Sequence, residues 1–118
     1  MSLQGKRVLV IEDEALLLMT VQDMLADFGC QVVGSATALS PAVQMARDLS
    51  LDLAVLDVNL NGELVTPAAE ILAERRVPFV FATGYDSHVV NGFAGRPRVL
   101  KPFTQEQLKD AMLRALAA

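Results

Sequence analysis

A chain of 118 residues with 14 acidic and 10 basic side chains, a formal charge of −4 and one cysteine is long enough for one domain with a real core. It has no basic surplus for neutralising a phosphate backbone, so direct nucleic-acid binding is disfavoured. A single Cys30 excludes an internal disulfide and a cysteine-based zinc site, and no window reaches the roughly 18 apolar residues of a membrane span.

The N-terminal "MSLQGKRVLVIEDEA" has too short an apolar run for a signal peptide, so a cytoplasmic protein without membrane attachment is expected. "RVLVI" (7–11) reads as the first strand. A helix follows from about Glu14 to Phe28, with Leu17, Leu18, Val21, Leu25 and Phe28 on one stripe and Gly29 as its left-handed cap. "QVVGSA" (31–36) is a second strand. Ser40-Pro41 predicts a helix start, with a capping hydroxyl before a proline at the first helical position. "DLAVLD" (52–57) is the third strand, with Asp52 at its start, and closes on a carboxylate before the polar "NLNG". Thr66-Pro67 predicts the next helix start in the same way. "VPFVFAT" (77–83) is a fourth strand. The segment 86–96 is a weaker helix among glycines, "RVLK" (98–101) a fifth strand, and Thr104 with Gln107 a capping box for the last helix.

Alternating strands and helices predict an α/β fold: a five-stranded, mostly parallel sheet, doubly wound with helices on both faces, for which the flavodoxin-like order 2-1-3-4-5 is one of the two common solutions and the one expected. The whole span 1–118 is expected to be one domain. In this layout Glu12 and Asp13 follow strand 1, Asp57 ends strand 3, Thr83 ends strand 4 and Lys101 ends strand 5, all on one edge of the sheet. Three carboxylates converging there repel, by roughly 4 kcal/mol per pair at about 4 Å and an effective dielectric near 20. A counterion is needed. Lys101 supplies one charge, and hard oxygen donors without imidazole or thiolate favour Mg²⁺ or Mn²⁺ for the rest. A carboxylate, a hydroxyl, an ammonium and a divalent cation around one point are the parts of phosphoryl transfer, with Asp57 as nucleophile.

"VLVIEDE", "LDLAVLDVNLNGE", "FATGYD" and "LKPF", in this order and spacing, resemble a response-regulator receiver domain of two-component signalling over essentially the whole chain. The resemblance implies that Glu12 and Asp13 hold Mg²⁺ together with Asp57, the phosphoacceptor, and the backbone carbonyl of Asn59. It further implies that Thr83 and Lys101 bind the phosphoryl group, and that the peptide bond before Pro102 is cis. The phosphoryl donor would be a histidine kinase or phosphotransfer protein. Output would pass through contact with a downstream protein of unknown identity, centred on the fourth helix, fifth strand and fifth helix, by a monomer or weak homodimer. Because the chain stops at Ala118, no output domain is expected. Receiver domains usually carry an aromatic three residues before the lysine; here that residue is Arg98. The chain is similar in this to a subgroup, often single-domain, with a Phe-Ala-Thr-Gly-Tyr type motif. Tyr85, two residues after Thr83, is then expected to take part of the switch role and to influence the lifetime of the acyl phosphate.

Two other readings stay open at this point. A degenerate receiver would work only as a binding module, with the acidic site unused. A Mg²⁺-dependent phosphatase with an aspartate nucleophile would want an acid two residues after Asp57, where this chain has Asn59. His88 is expected at the surface, Cys30 in the core, and Phe79, Phe81 and Phe103 in packing.

Overall fold

The computed structural model describes residues 2–84 and 93–118. Its elements in chain order are β1 (Arg7–Ile11), α1 (Ala15–Asp27), β2 (Gln31–Ala36), α2 (Leu39–Asp48), β3 (Leu53–Asp57), β4 (Asn59–Leu60), β5 (Glu63–Leu64), α3 (Thr66–Glu74), β6 (Phe79–Thr83), β7 (Arg98–Leu100) and α4 (Gln105–Ala117). The five long strands form one parallel sheet in the order β2-β1-β3-β6-β7. With the two-residue pair β4-β5 set aside, this is the 2-1-3-4-5 arrangement expected from the sequence.

Side chains alternate across each strand, which divides the core in two. Leu9, Ile11, Ala54, Leu56, Phe79 and Phe81 face α2 and α3, whose Ala42, Ala46, Ala68, Ala69 and Leu72 allow close helix approach. Val8, Val10, Leu53, Val55 and Val80 face α1 and α4, meeting Val21, Leu25, Leu108 and Met112. All five residues of β3 are buried, as a central strand covered on both faces requires.

The helix ends show where local signals held. α1 stops at Phe28, and Gly29 at φ +84° accepts the left-handed position, with its N–H donating to Ala26 and that of Cys30 to Leu25. Thr104 accepts from the Gln107 N–H at 3.1 Å while Gln107 Oε1 accepts from the Thr104 N–H at 2.8 Å, a complete capping box. Thr104→Ala is therefore expected to lower the urea-derived unfolding free energy by about 1 kcal/mol.

Two expected caps are corrected. α2 starts at Leu39 with Ala38 as its extended cap, and α3 starts at Thr66 with Val65 as its cap, neither with a side-chain cap hydrogen bond. Ser40 and Thr66 therefore lie inside the first turn, where the missing N–H of Pro41 and Pro67 has no helical partner to lose. Cys30 is half-buried and packs against the core cluster under α1 and α4, and its Sγ lies 3.4 Å from the Leu3 carbonyl oxygen, to which the thiol donates. Asp52 precedes β3 and accepts the Arg7 N–H at 2.8 Å. Tyr85, His88 and most of the expected fourth helix fall outside the described residues. Among the described residues no helix is long and apolar enough to cross a membrane.

Candidate functional site: an acidic cluster bridged by Lys101

A parallel sheet delivers the carboxyl ends of its strands to one edge, and the residues just past those ends gather there. Glu12 follows β1, its N–H donating to the Ala36 carbonyl at the end of β2. Asp57 closes β3, and its backbone pairs with Ala82 of β6. Lys101 follows β7, with its N–H donating to the Thr83 carbonyl at 2.8 Å. The Lys101–Pro102 peptide bond is cis.

Lys101 Nζ lies 3.0 Å from Glu12 Oε1 and 3.0 Å from Asp57 Oδ2, so one ammonium bridges two carboxylates. Glu12 and Asp57 are 3% and 7% exposed, the two buried charged residues among those described. The second oxygen of Glu12 accepts the Glu14 N–H at 3.1 Å. Asp13 stands half-buried beside them, its Oδ2 accepting the Asn61 N–H at 2.9 Å. Carboxylate oxygens of Glu12, Asp13 and Asp57 lie within 4.8 Å of one another. Three carboxylates against one ammonium leave the cluster with surplus negative charge, and its donors are hard oxygens. That set fits a hard divalent cation.

The loop that fixes this geometry is the β4-β5 hairpin, which lies where the sequence shows only the polar "NLNG" after the third predicted strand. Asn61 and Gly62, at φ +54° and +93°, have the two positive φ values of a type I′ turn. Asn61-Gly62 was the signal available, but strands of two residues carry no readable period. The turn aims the Asn61 N–H at Asp13, and the Gly62 N–H donates to Asn59 Oδ1 at 2.7 Å. Val65 N–H donates to the Val58 carbonyl, so Asn59 and Leu64 form a non-hydrogen-bonded pair and the Asn59 peptide groups turn off the ladder. The Asn59 N–H points accordingly toward Asp57 Oδ1, at 3.4 Å.

A cleft of about 610 Å³ opens over the cluster, lined among others by Asp13, Asp57, Asn59, Thr83 and Lys101. Thr83 is half-buried at its wall, and Arg98 is exposed on β7, opposite Phe81. Of the residues expected to act together, Glu12, Asp13, Asp57, Asn59, Thr83 and Lys101 share this edge; Arg98 stands apart on the outer strand.

Burial pushes the Glu12 carboxyl up from 4.5 to about 7; the Glu14 N–H and Lys101 oppose the rise, and the charge of Asp57 adds to it. Burial also works to raise Asp13, but its hydrogen bonds with the Asn61 N–H, Glu12 and Asp57 prevail and hold it below the usual value. For Lys101, burial favours the neutral amine, and the two carboxylates overcome it and raise the pKa. A carboxyl whose folded pKa is raised binds its proton more tightly when folded, so the metal-free protein is expected to lose stability as pH rises from about 4.5 to about 7. Urea midpoints measured across that range in a chelator should fall for the native chain and flatten for Glu12→Gln.

Residues 8–113 match the family described as response regulator receiver domain. The chain belongs to that family. Receiver domains are regulators of two-component signalling that interact with kinases or phosphotransfer proteins and with downstream proteins. This receiver is similar to the solution structure of SdrG from Sphingomonas melonis Fr1, with 41% identity, a TM-score of 0.85 and 100% of each chain covered. It is 36% identical over 81 residues to the transcriptional regulatory protein PdtaR of Mycobacterium tuberculosis, covering 68% of this chain and 40% of that protein. It is also 25% identical to the chemotaxis protein CheY of Thermotoga maritima, covering 92% and 95% of the two chains. The match to PdtaR therefore spans well under half of that relative's length.

Proposed function

We propose that this receiver is a phosphorylation-dependent switch that takes a phosphoryl group onto Asp57 from a histidine kinase or phosphotransfer protein. The observation that carries the reading is the bridged ammonium: Lys101 Nζ, 3.0 Å from Asp57 Oδ2, sits beside the nucleophile where a phosphoryl oxygen would need a cation. Glu12, Asp13, Asp57 and the Asn59 carbonyl would hold Mg²⁺ or Mn²⁺, which when bound supplies positive charge to the phosphoryl oxygens. An Asp57 oxygen attacks phosphorus, the bond from phosphorus to the donor nitrogen breaks, and Lys101 moves from Glu12 to the new phosphoryl oxygens. The Thr83 hydroxyl turns to the same group. Because Lys101 is joined through its backbone to Thr83 and begins the connection from β7 to α4, this rearrangement reaches the outer face that carries Arg98. Tyr85 is assigned part of the switch on sequence grounds.

A phosphatase reading needs an acid at Asn59. That carboxamide oxygen instead accepts the Gly62 N–H and holds the turn. Incubation with Mg²⁺ and acetyl phosphate, followed by intact-mass measurement, is expected to show a labile gain of one phosphoryl group. Steady hydrolysis of phosphate monoesters would favour the phosphatase, and no gain from any donor would leave a binding module.

A further inference from the structure

We propose that a second cavity, at the amino-terminal edge of the sheet and thus opposite the acidic cluster, binds a small organic anion between Arg76 and Arg96. The cavity is about 520 Å³, within the range of small-molecule sites, and is walled by Pro78, Phe79, Pro97 and Ala115 together with the two arginines. Arg96 stacks over the Phe79 ring, 4.3 Å from its centroid, which holds the guanidinium at the apolar wall. Among the described residues the ion pairs involve Lys101 and Arg114, so neither Arg76 nor Arg96 meets a carboxylate there. Arg76 and Arg96 are the charged side chains among the residues that line the cavity, in a chain of net charge −4.

A backbone feature independently singles out Arg76. α3 ends with the Arg76 N–H donating to Ala73 and the Val77 N–H to Leu72, which places Arg76 in the left-handed position at φ +59°. α1 ends with the same bonding pattern and uses Gly29 at that point. Glycine fits the left-handed region without strain, and arginine does not. The sequence thus places a long cationic side chain at the cavity mouth where backbone stability alone favours glycine. The ligand class follows from the lining: a phosphate- or carboxylate-type anion to meet the guanidiniums, on a compact apolar or aromatic body to fill the space beside Pro78, Pro97 and Ala115.

Phenylphosphonate is a suitable probe, because it has both parts and cannot donate a phosphoryl group. Titrated into the native chain in metal-free buffer, it should give saturating ¹H–¹⁵N shifts at Arg76, Phe79, Gly95 and Arg96. Benzyl alcohol, which lacks the charge, should give none. Arg96→Ala and Arg76→Gly should each weaken binding by about tenfold. Arg76→Gly should at the same time raise the melting temperature by a few degrees, so its lost binding cannot come from unfolding. Unchanged affinity in both variants, equal binding of benzyl alcohol, or shifts confined to the Asp57 cleft would overturn the proposal.

Discussion

Lys101→Ala is expected to lower the stability of the metal-free protein at pH 8 by about 3 kcal/mol, the largest effect of any single substitution at the site. The reason is electrostatic. Glu12 and Asp57 are almost wholly buried and share one ammonium at 3.0 Å from each, so removing it leaves two carboxylates facing each other without a counter-charge. Lys101 has a raised pKa, so its contribution is complete below the ordinary value of 10.5 and is lost only as pH rises beyond it. The deficit in Lys101→Ala should shrink at pH 5, where Glu12, already raised to about 7 in the native chain, takes a proton instead. Millimolar Mg²⁺ should restore part of the stability, since a cation that binds the folded state alone shifts the equilibrium by mass action. Urea titrations at the two pH values, with chelator and with Mg²⁺, provide the check. A deficit that is the same at pH 5 and pH 8 would mean that Lys101 acts through packing and not through charge.

Asp57→Asn is expected to have the opposite sign on stability and to abolish phosphoryl uptake. Removing one charge of the cluster relieves its repulsion with Glu12 and Asp13, worth about 1 kcal/mol in metal-free buffer, while Lys101 keeps its pair with Glu12. The amide has no anionic oxygen to attack phosphorus, so labelling by acetyl phosphate should fall to background in a protein that is at least as stable as the native chain. Loss of labelling together with loss of fold would point to Asp57 as a structural residue instead.

Much of this was legible from residue order. Strand alternation and the gathering of Glu12, Asp13, Asp57, Thr83 and Lys101 at one edge follow from period and topology, because a parallel sheet sorts strand ends without reference to side-chain detail, while the observed order of the sheet is one of the two common orders that such alternation allows. What the sequence could not supply was the result of competition between neighbours. Whether Lys101 would bridge Glu12 and Asp57, or pair with one, depends on distances between three strands. Ser40 and Thr66 look like caps by composition, but the packing of α2 and α3 on the sheet starts both helices earlier, at backbone that needs no hydroxyl. The β4-β5 hairpin was hidden by its shortness, although its Asn-Gly pair carries the type I′ signature. Arg76 had no signal at all, since an arginine in a left-handed cap is recognisable only once the φ angle is known.

Asp57 as the acceptor is the central claim, and trapping tests it directly. The native receiver is incubated with Mg²⁺ and acetyl phosphate, the acyl phosphate is reduced with borohydride to mark the carboxyl that carried it, and the peptides are sequenced by mass spectrometry. The reduced residue should be Asp57 alone, with none in Asp57→Asn. A mark on Glu12 or Asp13, or on no carboxylate after uptake at the level of the intact mass, would contradict the account.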